Sequence, residues 1–311
     1  MGLLLALALL VVGAAGIVLV MRSNSPFDEP RPAFSGARAL QHVERQVAFG
    51  PRVPGTDAHE RARAYYREVL TPYADRVVAQ PFTYTTPDSA RTLSGTNLIA
   101  SFGLEAGRRV LLSAHYDTRP FADRDPDPAR RTEPVPGAND GASGVAVLLE
   151  LARILHANPL PYGVDVVLFD LEDAGDYERT DSTGTPFAIG SEQFVQMNPE
   201  YRPAWGLLLD MVGDRDLRIP KEGYSLQYAR PVVERVWAAA ERVGADAFVD
   251  RPGQAVSDDH VPFLRRGIPV VDLIHTPFPD TWHTTADTPD RVSAESLEQV
   301  GEVVVEVLYG D

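Results

Sequence analysis

The chain has no cysteine among its 311 residues. Disulfide bonds, thiolate zinc sites, cysteine nucleophiles and lipid anchors attached to cysteine are therefore all excluded. Any metal ion that the side chains hold must be held by histidine, aspartate or glutamate.

Basic residues are also scarce, since 29 lysines and arginines stand against 44 acids, for a formal net charge of -15. Nucleic-acid binding depends on basic patches, so this balance argues against it, and also against broad contact with anionic lipids. An acidic chain favours solubility and a site for a cation or a metal ion. Hydrophobic residues make up 44% of the sequence, which is enough for a sizeable core.

Charged side chains are missing from one long stretch, Gly2–Met21, which ends at Arg22. A helix of about 20 residues spans roughly 30 Å, the thickness of a hydrocarbon core. Cleaved secretory signals usually begin with a basic region, and none precedes this stretch. We therefore expect an uncleaved transmembrane anchor over residues 1–22, with a cleaved signal segment and a secreted protein as the alternative. The nearest basic residue, Arg22, follows the span. By itself this position favours an orientation in which the rest of the chain stays on the cytoplasmic side.

Residues 23–35 contain three prolines and are predicted to form a linker, and residues 36–311 show neither a repeat nor a further linker. Apolar runs of strand length alternate there with amphipathic helices, which predicts one α/β domain. We expect a three-layer sandwich, with a mostly parallel sheet between helices on both faces. Strands are predicted over 77–84, 96–101, 109–113, 164–170, 205–210 and 268–274, and the main helices over 36–48, 57–70, 145–156, 231–243 and 292–309.

Side chains able to bind metals or move protons recur where predicted strands end or loops begin. Ligands of open α/β sheets bind outside the carboxyl ends of the strands. Carboxylates and imidazoles suit zinc, and a catalytic zinc ion keeps three protein ligands and one open position. Seven residues share such positions: His115, Asp117, Asp140, Glu172, Asp173, Asp210 and His283.

Each of these residues also has an ordinary structural explanation. Asp140 could cap the helix that follows it, His115 could be a satisfied core histidine, and His283 could be solvated in its loop. Asp258 and Asp259 could be a charge pair at a helix start, where the macrodipole favours acids. These separate explanations would all have to coincide at one edge of the sheet, and a shared site is favoured for that reason.

In their order along the chain, these residues resemble the zinc-dependent M28 peptidase family, over about Gly36–Tyr309. Within that family the details are most similar to the glutaminyl-peptide cyclotransferases. Trp282 precedes a histidine where aminopeptidase members more often have tyrosine. Four stretches carry the likeness: Ala114–Thr118, Leu168–Asp173, Ser257–Val270 and Pro277–Thr284.

The resemblance implies a single zinc ion held by Asp140, Asp173 and His283. His115 and Asp117 would then form a second metal position or support the first one. The animal enzymes have glutamate at the position of Asp173. Because aspartate is one methylene shorter, the metal would have to lie closer to the backbone or bind differently.

The resemblance also implies the catalytic residues and the fold. Glu172 would be the general acid/base, and Asp210 and Asp258 would form a hydrogen-bonded acidic network beside it. Trp282 and Phe278 would line the pocket for a glutamine side chain. The family fold is an α/β sandwich around a mixed sheet, which agrees with the alternation of strands and helices. The animal enzymes also have a pocket tryptophan, for which Tyr177 is the nearest aromatic residue here, and a disulfide that this chain cannot form.

The reaction implied by this resemblance is cyclisation of the N-terminal glutamine of peptides or proteins to pyroglutamate, with release of ammonia. The first alternative is a two-zinc aminopeptidase, because His115 and Asp210 leave a second metal position open. A second alternative is a membrane-tethered binding domain without activity, although none of the implied zinc ligands and acid/base residues has been lost. The resemblance also favours an exported domain, periplasmic or extracellular, on the N-terminal anchor.

Overall fold

The computed structural model describes residues 31–86, 91–175 and 185–310. The anchor expected over residues 1–22, most of the expected linker and Tyr177 lie outside these ranges. None of the described helices is both long and apolar enough to cross a membrane. Residues from Arg31 onwards form one compact unit.

Eight α-helices, two short 3-10 helices and eight strands form the described part of this unit. The helices are α1 (Gly36–Val47), α2 (Asp57–Leu70), α3 (Ala142–Ala157), α4 (Ile189–Met197), α5 (Gly223–Tyr228), α6 (Arg230–Val243), α7 (Val261–Arg265) and α8 (Ala294–Tyr309). The strands are β1 (Arg76–Thr85), β2 (Thr92–Phe102), β3 (Arg109–His115), β4 (Gly163–Phe169), β5 (Gly206–Asp210), β6 (Ile219–Lys221), β7 (Phe248–Pro252) and β8 (Val270–Ile274).

The central sheet has six strands in the order β1-β2-β4-β3-β5-β8. The pairs β4–β3, β3–β5 and β5–β8 are parallel, whereas β1–β2 and β2–β4 are antiparallel. The expected mixed, mostly parallel sheet is therefore confirmed. A separate two-stranded parallel sheet of β6 and β7 was not predicted, because β6 has only three residues and shows no alternation.

Alternating side chains of the central strands enter two different hydrophobic cores, because successive residues of a strand point to opposite faces. Leu112 of β3 and Leu207 of β5 pack with α1, α2, α3, α6 and α8 on one face. Leu111 and Leu208, their neighbours in sequence, pack with side chains of α4 and α7 on the other face. The three-layer sandwich is confirmed, and the burial of all seven β4 residues follows from it.

The compact unit begins earlier than the sequence predicted, because residues 31–35 of the expected linker pack against α8. Phe34 is 4% exposed, and its ring lies where a Cβ atom on Gly301 would be only 2.3 Å away. Its backbone N–H donates to Glu302 Oε1 at 2.8 Å. An apolar side chain opposite a glycine thus fixes the start of the domain.

Candidate active site and metal centre

The parallel strands β4, β3, β5 and β8 end along one edge of the sheet, and a pocket of about 600 Å³ opens there. Eight predicted site residues line this pocket: Asp140, Glu172, Asp173, Asp210, Asp258, Phe278, Trp282 and His283. His115 and Asp117 are 1% and 0% exposed and are absent from the pocket lining. Residues far apart in sequence therefore share the sheet edge at which ligands of α/β folds bind.

The three predicted zinc ligands lie together in the wall of this pocket. Asp140, Asp173 and His283 each offer one ligand atom, and these atoms lie within 4.8 Å of one another. His283 Nε2 is 3.3 Å from Asp173 Oδ1 and 3.6 Å from Asp140 Oδ2. Asp173 Oδ2 is buried, and no group in the described part of the chain donates a hydrogen bond to it. Two buried carboxylates and one imidazole are a donor set that fits zinc.

A second group with metal-binding geometry shares one carboxylate with the first. His115 Nε2 lies 3.1 Å from Asp140 Oδ1 and 3.2 Å from Asp210 Oδ1. Asp140 therefore belongs to both groups, and the pocket offers positions for one or two cations.

Asp117 is absent from these groups of potential ligands. Its contacts instead support the turn that carries two of the predicted site residues. Its Oδ1 and Oδ2 accept the backbone N–H groups of Glu172 and Asp173, each at 3.1 Å. Its Oδ1 is also 3.5 Å from His115 Nδ1. Asp117 thus fixes the turn that carries the predicted acid/base and one predicted metal ligand.

Asp170, the residue that follows β4, also holds this turn. Its carboxylate accepts from Leu171 N at 2.9 Å, from Thr96 N at 2.7 Å and from the Tyr116 hydroxyl at 2.8 Å. His59 Nε2 lies 2.8 Å from the same carboxylate. These contacts hold Leu171 at a φ of 59° and so present Glu172 to the pocket.

Four non-glycine residues in the described ranges have positive φ: Leu171, Ala188, Met211 and His283. Leu171 precedes Glu172, and the other three line the pocket. Non-glycine residues in this region of φ/ψ space are strained and cluster at functional sites. The Asp140–Gly141 and Thr276–Pro277 peptide bonds are cis.

Burial and crowding of carboxylates shape the acid–base properties of the pocket. Burial, together with the charge of Asp173, raises the pKa of Glu172 well above its usual value. Burial and the charges of Asp210 and Asp259 likewise raise the pKa of Asp258. The Glu172 carboxyl group itself is half-buried. A cation held by Asp173 would counteract the shift at Glu172.

In His283 and His115, the charges of neighbouring carboxylates outweigh the effect of burial on the pKa. Burial lowers the pKa of His283, but Asp173 and Asp123 outweigh it and raise the pKa to about 9. Burial also lowers the pKa of His115, and its carboxylate neighbours again raise it well above the usual value. Metal binding requires neutral imidazole, so a bound cation would displace a proton from His283.

Aromatic rings form one wall of the pocket directly beside His283. The Trp282 ring centroid lies 4.4 Å from that of Phe278 and 4.1 Å from that of His283, onto which it stacks. Ile189 and Pro262 contribute apolar surface elsewhere in the lining. The pocket thus joins potential metal ligands to an apolar surface.

Asp258 and Asp259 are 4% and 1% exposed, and they lie just before α7, whose first turn contains no acid. Other buried polar groups lie in this region. His260 Nε2 is 3.3 Å from Glu222 Oε2, and its Nδ1 is 3.8 Å from Asp272 Oδ2. The acidic network therefore extends from the pocket into the core.

Sequence reasoning missed the side chains that hold the potential ligands in place. Asp287 accepts the N–H groups of Asn139 and Asp140 at 2.8 and 3.0 Å. Arg119 and Asp123 contact the segments that carry Asp173 and His283. The sequence contained one indication of a supporting role for Asp287, Arg119 and Asp123. All three lie in loops that follow predicted ligands or strand ends.

Comparisons with known proteins agree with this geometry. The family model described as Peptidase family M28 matches residues 97–308. The crystal structure of a Bacteroides thetaiotaomicron glutaminyl cyclase is 36% identical, with a TM-score of 0.86, and the match covers 91% of this chain and 100% of that one. A Zn-dependent exopeptidase from Parabacteroides distasonis is 39% identical, with the same TM-score of 0.86 and coverage of 91% and 100%.

A curated relative points the same way. The Mus musculus glutaminyl-peptide cyclotransferase-like protein is 28% identical over 282 residues, which are 81% of this chain and 70% of that protein. The chain therefore belongs to peptidase family M28, as its ordered histidines and acids predicted, and it is an enzyme of that family.

Proposed function

We propose that this enzyme uses zinc to cyclise the N-terminal glutamine of peptides or proteins to pyroglutamate and release ammonia. The observation that carries the proposal is the aromatic wall of Trp282 and Phe278 beside His283, in a pocket that also exposes the Glu172 carboxyl group. The likeness to a bacterial glutaminyl cyclase at 36% identity supports it.

Asp140, Asp173 and His283 would hold the zinc ion. When bound, zinc polarises a carbonyl oxygen as a Lewis acid. The three side chains come from separate loops at the sheet edge, so the folded domain sets their spacing.

Glu172 moves the proton in the proposed reaction. The α-amine nitrogen of the substrate forms a bond to its own side-chain amide carbon, and the carbon–nitrogen bond of that amide breaks. Glu172 accepts the proton from the attacking amine and delivers it to the departing nitrogen, which leaves as ammonia. Asp117 and Asp170 hold the turn below Glu172, so the carboxyl group can change its protonation state without losing its position.

Asp210 and Asp258 would form the acidic network beside Glu172, where burial and the charge of Asp210 raise the pKa of Asp258. Trp282 and Phe278 provide flat apolar surface for the aliphatic part of the glutamine side chain. This surface also reduces the access of water, which cyclisation does not need and hydrolysis does.

The specific alternative is a two-zinc aminopeptidase, which the group of His115, Asp140 and Asp210 favours. The likeness to a Zn-dependent exopeptidase supports the same alternative.

A paired assay tests the proposed function. We expect purified enzyme to convert a peptide with N-terminal glutamine to its pyroglutamyl form, detected by mass spectrometry as loss of ammonia. A matched peptide with N-terminal leucine should stay intact. A strong chelator should abolish the reaction, and added zinc should restore it, with one zinc ion per chain.

Release of free glutamine or leucine, with two zinc ions per chain, would instead establish the aminopeptidase. Stoichiometric zinc without turnover of either peptide would support the binding domain without activity.

For location, we propose that residues 1–22 anchor the enzyme in a membrane and that its catalytic domain is exported. The uncharged stretch Gly2–Met21 supports this proposal. We expect cell fractionation to find the enzyme in the membrane with its N-terminus intact, and an added protease to reach the catalytic domain without lysis. A soluble exported protein that lacks residues 1–22 would favour cleavage, and an enzyme found only in the cytoplasm would contradict export.

A further inference from the structure

Arg119 lies in the loop after β3 and is 3% exposed. Its guanidinium group donates two hydrogen bonds to the Asp123 carboxylate, from Nε to Oδ1 at 2.8 Å and from Nη2 to Oδ2 at 2.6 Å. Its Nη1 donates to the backbone carbonyls of Asp173 at 3.3 Å and Gly175 at 3.0 Å. One side chain thus joins the loop after β3 to the turn that carries a potential zinc ligand.

Asp123 extends this connection to a second potential ligand. Its Oδ1 lies 3.5 Å from His283 Nδ1, while His283 Nε2 faces Asp173 and Asp140. Metal-binding histidines commonly present the second ring nitrogen to a carboxylate, which fixes the orientation and tautomer of the ring. Asp123 has the position of that carboxylate.

The two ligand segments need such external support. Asp173 follows the turn at Leu171, and His283 itself has a φ of 55°. Neither residue lies within a helix or strand whose own hydrogen bonds would hold its position.

We propose that Arg119, acting with Asp123, is a positioning residue that holds Asp173 and His283 together at one metal position. The inference rests on the proposed zinc site of Asp140, Asp173 and His283. A buried guanidinium group is costly to desolvate unless it is paired and hydrogen-bonded, and here two carbonyls and a bidentate carboxylate satisfy it. Lysine cannot replace it, because an ammonium group lacks the planar fork that reaches both segments.

Arg109 provides a matched control at the opposite end of β3. Its guanidinium group also grips a carboxylate, that of Asp165, from Nε and Nη2 at 2.7 Å each. It also donates to the carbonyl of Gly103 at 2.9 Å. The two arginines make similar contacts, but only Arg119 touches the segments of potential metal ligands.

The test compares zinc affinity with global stability in the purified full chain. Zinc affinity is measured by competition with a chromophoric chelator, and stability by urea unfolding in the absence of zinc. We expect Arg119→Gln to weaken zinc binding by about 10–100-fold, the range for partners of metal ligands. Arg119→Lys should remain weaker than the wild type, and Arg109→Gln should keep wild-type zinc affinity even where its stability falls.

Asp123→Asn keeps the test decisive if Arg119→Gln fails to fold, because the Asp123 side chain is 33% exposed. Asp123→Asn should also weaken zinc binding. Where Arg119→Gln folds, the losses of zinc affinity in the double variant should be less than additive, because both residues act through one contact.

Wild-type zinc affinity in Arg119→Gln, or in Asp123→Asn where Arg119→Gln does not fold, would overturn the inference, and so would an equal loss in Arg109→Gln. A wild-type chain that binds no zinc would overturn the proposed function and this inference with it. If the wild type binds zinc and only the inference fails, the proposed function stands.

Discussion

Glu172→Gln should lower turnover of a peptide with N-terminal glutamine by about 10²–10⁴-fold, the range that general acid–base catalysis contributes. Glutamine has nearly the same shape as glutamate but cannot accept and return the proton. The backbone N–H of Glu172 bonds to Asp117 and is unaffected by the change, so the turn should keep its geometry. Zinc should therefore remain bound while turnover is lost.

The measurement is kcat together with the zinc content of the purified variant. Glu150→Gln is the matched control, since Glu150 is 2% exposed but lies on α3 and bonds to Arg153. This control should lose stability and keep its kcat. A Glu172→Gln enzyme that retains most of the wild-type rate would remove Glu172 from the mechanism.

His283→Ala should weaken zinc binding by more than about 100-fold, beyond the range for outer partners of metal ligands. The substitution removes the imidazole ligand and leaves the carboxylates of Asp140 and Asp173 facing each other. Turnover should fall with zinc occupancy, unlike in Glu172→Gln, where occupancy persists. The two variants therefore separate metal binding from proton transfer.

Chelator competition and kcat at saturating zinc measure this second effect. His42→Ala serves as the control, because His42 lies on α1 and bonds to Tyr65, far along the chain from the pocket residues. It should change neither zinc affinity nor kcat. Undiminished zinc affinity in His283→Ala would exclude His283 as a ligand.

Periodicity and strand ends made the fold largely predictable from the sequence. The strand predicted over 164–170 is β4, and all seven of its residues are buried. The antiparallel pairing of β1 and β2 could not be predicted from the sequence. Alternation of side chains indicates a strand but does not specify whether its neighbour is parallel. The start of the domain at Arg31 depends on the contact of Phe34 with α8, which no local pattern records.

The candidate site was predictable where chemistry follows from position in the fold. Glu172 and Asp173 follow a strand, and the common edge of the sheet gathers them with Asp140 and His283. The supporting residues were not predictable in this way. Arg119 acts only through contacts between loops that are distant in sequence, so its role exists only in the folded chain.

The same contacts bear on Asp173, whose side chain is one methylene shorter than the glutamate that the resemblance led us to expect. The Asp173 carboxylate reaches to 3.3 Å from His283 Nε2, and Asp117 and Arg119 bond to its backbone. The shorter side chain is therefore compatible with a shared metal position, because the backbone of its turn is held close to His283.

The positive φ angles at Leu171, Ala188, Met211 and His283 set a limit on engineering this enzyme for heat resistance. Each such conformation costs on the order of 1–3 kcal/mol, so substitutions that relax these positions are an obvious route to a more stable protein. The same conformations aim Glu172 and His283 into the pocket. Stability gained there would come at the expense of turnover, and stabilising substitutions belong in the helical layers away from this edge of the sheet.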